Sequence, residues 1–385
     1  MAGFTSLDDL INETSTNGKS YRQDWNKNML PTTVAVAGEW SCLARGGGNP
    51  AADTLYNTGT NLTFNPVSFT TSGATGIPHG GDVSPDYKII KNASAFSAAA
   101  TTMPSILMLV DLVGYYRVTT TTTITSQAMT NTLSAFSTFT ADAGTDICTH
   151  SNINLMPYTR VQLTTTTTLP AGLALATDYY VIKVTDLTCQ LATSYANAVA
   201  GTQIDITDAG TGTHTINTLL PRYTNGAGVQ AFMWANNATP LGAGVPNLSL
   251  ASYTNSAQAT GKATPAVLPV GKTAAANGLI LYSGTGAGKY GPFMPLAAGD
   301  SGIAKVDNVQ ISATYTSGEF SVGLCKPLIV MPMTTIGVAS EREFINQMPS
   351  MPRVYDGANL VWLIYHGAAT PVNSAFYGHL EFGWG

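Results

Sequence analysis

The chain is short of charge. Asp, Glu, Lys and Arg make up 10% of its 385 residues, against the roughly 25% usual for soluble globular chains. So little charge over so much surface predicts that part of that surface is covered by partners. Basic residues are the scarcer sign, 17 Lys and Arg against 22 Asp and Glu for a net charge of −5. This argues against a face that tracks phosphates and sets nucleic acid aside as a partner. Long apolar runs are missing as well: none reaches the roughly 18 uninterrupted residues that a membrane span requires. The N-terminal "MAGFTSLDDLINETSTNGKSYRQDW" lacks the basic-then-apolar order of a secretion signal, so neither a membrane nor a secretory address is expected. Cysteine is sparse and scattered, with Cys42, Cys148, Cys189 and Cys325 in no C-x-x-C arrangement. That spacing fits neither a dense disulfide framework nor a zinc site and reads as buried free thiols. Helical periodicity is also absent beyond about three turns.

What is present is strand signal. "NLTFNPVSFTT", "SILMLVDLVGYYRVTTTTTIT", "TRVQLTTTTTLP", "DYYVIKVTDLTCQLAT", "ANLVWLIYHGAA" and "AFYGHLEFGW" are rich in β-branched and aromatic residues and are bounded by Gly, Pro, Asn and Asp. The pattern predicts an all-β fold of sandwich or barrel type. The two five-threonine runs, Thr119 to Thr123 and Thr164 to Thr168, read as strands, since Thr favours the pleated backbone and flexible linkers use Gly and Ser. Caps predict two short helices. Ser6 with Asp9 opens "LDDLINE", and Ser340 with Glu343 opens "EREFINQM", which Pro349 stops. The polar segment before residue 29 carries Tyr21 and Trp25 among many of the charges. Residues 1–28 are expected to form an N-terminal arm with a short helix, with Tyr21 and Trp25 as candidate interface residues.

A tripeptide repeat divides the rest. Asn131-Thr132-Leu133 recurs as Asn217-Thr218-Leu219, and removing the stretch between them would run "SQAMTNTL" into "LPRYTNGAG". Residues 134–219 therefore read as a module inserted at an exposed turn of a host domain made of 29–133 and 220–385. The module's ordered elements are the Thr149-His150 turn, "TLPAGL", "YYVIKV", "LATS" and the closing "DAGTGTHT". In these it resembles a small Ig-like β-sandwich module found repeatedly in the structural proteins of tailed bacteriophages. "GIPHGGDVSP", "LPRYTNGAGVQ", "GPFMPLAAGDSGIAKVDNVQIS" and "MPRVYDGANLVWLI" in the host halves resemble a family of phage virion structural proteins. The resemblance implies a particle component without enzymatic residues.

The candidate chemistry is thin. "GDSG", Gly299 to Gly302, matches the nucleophile tetrad of chymotrypsin-like proteases, but no upstream histidine has the context that such a triad needs. A strand-to-strand turn explains the same tetrad. "GTGAGKYG", Gly284 to Gly291, has Ser283 and Tyr290 where a phosphate loop requires Gly and Ser or Thr. His79, His150, His214, His366 and His379 are dispersed, and only His79 with Asp82 merits inspection for an ion. Tyr115, Tyr116, Tyr179 and Tyr180 are candidates for a sugar platform, although neighbours on a strand point to opposite faces and one of each pair belongs in a core. A pair of carboxylates for glycoside hydrolysis needs only spatial proximity and stays open. No catalytic residue, cofactor or metal is assigned.

These observations predict a jelly-roll-like β-sandwich host with an inserted Ig-like module. The expected role is a capsid decoration, cement or minor capsid protein of a phage head, made in the bacterial host's cytoplasm. Its partners would be the major capsid protein, other virion proteins and further copies of itself, for example in a trimer. The alternatives are a tail or receptor-binding protein that contacts host glycans, the major capsid protein itself, and, ranked last, a hydrolase.

Overall fold

The computed structural model describes the chain apart from residues 1–2, 30–34, 55–58, 100–101, 120–125, 237–238, 266–268, 273–277, 285–289 and 346–350. Strands dominate, and the only α-helices among the described residues are Leu7–Ile11 and Tyr195–Ala200. The first has the expected cap: the Ser6 hydroxyl accepts the Asp9 N–H at 3.0 Å. The second is capped by Ser194 and closed by Gly201 in the left-handed region at φ 73°, a conformation that glycine adopts without a Cβ penalty. No helix is long and apolar enough to cross a membrane among the described residues.

The helix expected after Ser340 is not formed. Ser340–Glu343 is an edge strand paired antiparallel with Asn92 to Ala95. A helix of two turns is marginal on its own account, and the ladder offers those backbone groups partners at once. Pro349 lies outside the described residues, as do Thr120 to Thr123 and most of the Gly284 to Gly291 loop. The second threonine run enters the strand Arg160–Thr165 and leaves it at Thr166.

The host is a stack of antiparallel sheets. The first runs Ser340–Glu343, Lys88–Phe96, Ala375–Trp384, Ser20–Asn28 and Gly48–Asn49. The middle sheet runs Gln230–Ala235, Glu319–Met333, Ser105–Thr119, Leu360–His366 and Glu39–Cys42, and a third, smaller sheet joins Leu248–Asn255, Ile303–Ile311 and Gln127–Ala128. In the apolar run "SILMLV", Leu107 and Leu109 face the first sheet and Val110 faces the third, while Ile106 and Met108 are half-buried at the end of the middle sheet. Leu107, Leu109, Trp362 and Ile364 enter the core shared with Trp25, Phe376 and Phe382 of the first sheet. Val110, Leu112, Val361 and Leu363 enter the core shared with Leu250, Val306 and Val309 of the third.

Residues 3–28 are built into the fold and do not form an arm. Ser20–Asn28 lies inside the first sheet and pairs along its whole length with Ala375 to Gly383. Trp25 is 3% exposed and meets Trp362 at a ring distance of 4.9 Å. Lys27, also 3% exposed, occupies an inward position where its ammonium donates to the carbonyls of Ala44, Gly46, Pro50 and Ala51. A lysine at a core position breaks the polar–apolar alternation that would have marked the strand.

Residues between Ser134 and Thr218 build a ring of six strands in the order Arg160–Thr165, Tyr179–Lys183, Thr188–Ala192, Ile147–His150, Ser134–Asp142 and His214–Thr218, which closes on the first. It has its own core of Phe139, Leu155, Val161, Leu163, Val181, Leu191 and Ile216. Ser134 and Thr218 are register partners, so the chain enters and leaves this unit at adjacent points. The ring is seated on the host. Thr224 bonds the Thr159 hydroxyl at 2.6 Å and the Met156 N–H at 3.1 Å, and Asn225 donates to the Pro157 carbonyl at 3.0 Å.

Candidate interaction surfaces

The sequence motifs with catalytic overtones resolve into scaffolding. Asp300 of "GDSG" accepts the Tyr253 hydroxyl at 2.6 Å and the Asn255 amide at 2.7 Å, while Ser301 faces Ser256 at 3.2 Å. The tetrad is thus a turn pinned to the strand Leu248–Asn255, and no histidine bonds its serine. His79 is buried and Asp82 is exposed. The two imidazole nitrogens of His79 are spent, Nε2 donating to the Ala358 carbonyl at 3.1 Å and Nδ1 accepting from Lys88 at 2.9 Å. That tautomer follows from its partners. Burial first, and then the Lys88 charge, push the His79 pKa down to about 4. Among the described residues no group of three His, Cys, Asp or Glu side chains is placed to hold a metal.

Asp82 instead lines a polar cleft of about 390 Å³ between host and ring, with Asp356, Ser84, Asn152 and Asn154. Both oxygens of Asp356 accept backbone N–H groups, from Val83 at 2.9 Å and Ser84 at 3.0 Å. This carboxylate clamps a loop. Next to the cleft, the Arg353 guanidinium is sandwiched 3.6 Å from the Tyr87 ring centre and 4.2 Å from that of Tyr355, and reaches Asn154 of the ring at 3.3 Å. Burial, followed by a hydrogen bond to Asp186 of the ring, raises the Tyr87 hydroxyl to about 12. Stacking and hydrogen bonding therefore fix the ring's seat from two of its loops.

Of the two residues named for an interface, one is buried and the other half-buried. Trp25 is core, and Tyr21 is half-buried, packed beside Phe382 with its hydroxyl on Gln23 at 2.7 Å. Of the tyrosine pairs, Tyr115 and Tyr116 are both buried, as is Tyr179. Tyr180 is half-buried and joins Tyr195 at 6.5 Å, and Tyr195 in turn meets Tyr158 at 5.7 Å. This aromatic cluster on the ring surface is bordered by Arg160, which pairs with Asp178 at 2.9 Å, and by Gln162, which donates to the same carboxylate at 2.8 Å.

One apolar surface was not singled out in the sequence. At one end of the middle sheet, Pro332, Ile106, Tyr365 and Trp40 are successive register partners across four strands. Pro332 is exposed and the other three are half-buried. Val330, 48% exposed, stands two residues along on the same face, and the turn beyond exposes Ile336 at 44% and Val338 at 58%. The strand Glu319–Met333 pairs with Gln230–Ala235 only as far as Cys325, and past that point no strand among the described residues pairs with its outer edge. A hollow of about 440 Å³ lies there, lined by Ile106, Leu328, Val330 and Phe344. Pro327 and Pro332 lack N–H groups along this stretch, which blunts it against strand addition. No family model matches this chain, and no curated protein or solved structure matches it. The apolar row depends on cross-strand register, whereas along the chain each member is a single apolar residue inside a strand with buried neighbours. Val330 and Pro332, exposed in alternation with buried Ile329, Met331 and Met333, leave a period-2 trace.

Proposed function

We propose that this protein is a non-enzymatic structural component of a tailed-bacteriophage virion. In this reading it is a decoration, cement or minor capsid protein of the head, binding between major capsid subunits and assembling as a homo-oligomer. The observation that carries the proposal is the apolar row Pro332–Ile106–Tyr365–Trp40 with Val330, Ile336 and Val338 beside it. Contiguous exposed apolar area rimmed by an open sheet edge marks a surface that a partner covers. Covering a valine or isoleucine side chain stabilises an assembly by about 1.5 to 3 kcal/mol, so a few such residues, repeated over symmetry-related copies, resist the outward pressure of packaged DNA. The low charged fraction and the resemblance of the host and module motifs support the same reading. The protein would be synthesised in the host cytoplasm and retained in the virion, with no nucleic acid and no membrane among its partners.

The test is imaging. Particles labelled with an antibody to residues 134–219 are expected to carry signal over the head surface, and signal confined to the tail tip overturns the head assignment. Val330→Glu is expected to abolish retention on particles while leaving the chain folded.

The cluster of Tyr158, Tyr180 and Tyr195 beside Arg160, Gln162 and Asp178 favours a second reading, a tail or receptor-binding protein that contacts host glycans. Rings next to planar polar side chains suit a sugar's apolar face and hydroxyls. Binding of the purified chain to host surface polysaccharide, lost in Tyr180→Ala, would select this reading over the first.

A further inference from the structure

We propose that Cys148 and Cys189 are a paired oxidation site, at which a low-molecular-weight disulfide installs a cross-strand disulfide in the folded ring. The two residues are register partners in the antiparallel pairing of Ile147–His150 with Thr188–Ala192. Directly opposed residues of such strands stand about 4.5 to 5.5 Å apart at Cα, inside the roughly 4.4 to 6.8 Å that a disulfide bridges. Opposed side chains also share a face, here the inner one. Both cysteines are free and lie in the ring core, with the Cys189 thiol against that of Cys148. The other two cysteines supply an internal contrast. Cys42 and Cys325 are equally buried, but their strands are not neighbours in the middle sheet, so no register brings them face to face.

The hydrogen bond with Cys148, and then burial, hold the Cys189 thiol protonated at rest, so the reaction begins when the short strand Ile147–His150 opens. One cysteine, as thiolate, attacks a sulfur of the small disulfide, forming a mixed disulfide and expelling one half as a thiol. The second thiolate attacks the protein sulfur of that mixed disulfide, forms the Cys148–Cys189 bond and expels the other half. The cysteines lose two protons and two electrons in total, and the small disulfide is reduced to two thiols. The product ties a short seam, whose registered pairs are Thr188 with Thr149 and Cys189 with Cys148 and beside which the His150 N–H donates to the Leu187 carbonyl at 2.8 Å. It also encloses the strands Arg160–Thr165 and Tyr179–Lys183 in a covalent loop, which restricts the unfolded chain.

The full-length chain, folded and incubated with oxidised glutathione, is then unfolded in an alkylating agent and digested. Cys42 and Cys325 are expected to be alkylated, and Cys148 and Cys189 to be recovered as one linked peptide lighter by two hydrogens. Cys148→Ala is expected to leave Cys189 alkylated or glutathionylated. A second arm refolds the chain in the same oxidant, which removes access as a variable. Four alkylated cysteines in both arms, or a link that involves Cys42 or Cys325, overturns the proposal.

Discussion

Arg222 and Asp111 face each other in the host core through two hydrogen bonds, Nε to Oδ2 at 2.9 Å and Nη2 to Oδ1 at 2.7 Å. Asp111 is 0% exposed and Arg222 2%. Asp111 interrupts the apolar strand Ser105–Thr119, and Arg222 stands four residues beyond the last ring strand, where the chain re-enters the host. Arg222 also donates to the carbonyls of Val67 and Leu112, and Asp111 accepts the Asn359 N–H at 2.9 Å. The pair ties together four parts of the chain that are remote in sequence. Removing one partner strands a buried charge. Arg222→Met is therefore expected to cost about 3 to 5 kcal/mol, read as a lower midpoint in urea. The double variant with Asp111→Leu is expected to recover part of that loss, and equal destabilisation by the single and double variants would show that the charge pair is not the cause.

Two buried histidines set an acid limit. Burial holds His79 at about 4 and His366 at about 3. His366 bonds Thr370 at 2.8 Å and Ser41 at 3.2 Å, so both partners of its ring nitrogens are neutral hydroxyls. Both folded values lie below the unfolded value of about 6.5, so between these limits the unfolded chain binds protons that the folded chain refuses. Stability contributed by the neutral rings is complete above about pH 6.5 and is lost as pH falls towards 4, at roughly 1.4 kcal/mol per pH unit for each histidine. Urea midpoints measured from pH 7.5 down to 4.5 are expected to fall, and His366→Gln to flatten that fall. A variant with an unchanged slope would refute the assignment for His366.

The all-β class and the first helix were legible because their determinants are local. Period-2 alternation with Gly and Pro breaks marks strands, and Ser6 needs only Asp9 three residues on. The same logic was available for Tyr195–Ala200, whose Ser194 and Gly201 are both visible in the sequence. Ser20–Asn28 was hidden because Lys27 stands inward. A charged residue at a core position is intelligible only once the loop that supplies four carbonyls is known, and that loop belongs to another stretch of chain. Ser340–Glu343 carried a true capping pattern, but a sheet edge claimed it. The surface row was illegible for a third reason: Pro332, Ile106, Tyr365 and Trp40 come from four strands and become neighbours only through register.

Trp25 separates a core role from a docking role. Its ring packs on Trp362 within the cluster that joins the first and middle sheets. Trp25→Ala is expected to destabilise the isolated chain by about 3 to 5 kcal/mol, the range for deleting a buried aromatic side chain. Thermal unfolding monitored by circular dichroism measures this without any partner present. An unchanged midpoint would return Trp25 to the surface.

Excising the ring tests whether the host stands without it. Ser134 and Thr218 are register partners, so joining Leu133 to Leu219 through a two-residue Asn-Gly turn spans a gap that adjacent strands already close. Arg222 and Asp111 lie outside the cut and keep their bonds. The excised chain forfeits the contacts of Thr224 with Met156 and Thr159, of Asn225 with Pro157, of Arg353 with Asn154 and of Tyr87 with Asp186. A typical intramolecular hydrogen bond contributes about 0.5 to 1.5 kcal/mol. Arg353 keeps its stack between Tyr87 and Tyr355, and water reaches the freed groups, so the summed loss is expected to stay below about 4 kcal/mol. Calorimetry is expected to show one cooperative transition for the shortened host at a modestly lower temperature. Loss of any cooperative transition would mean that the ring completes the host's core and is not an insertion into it.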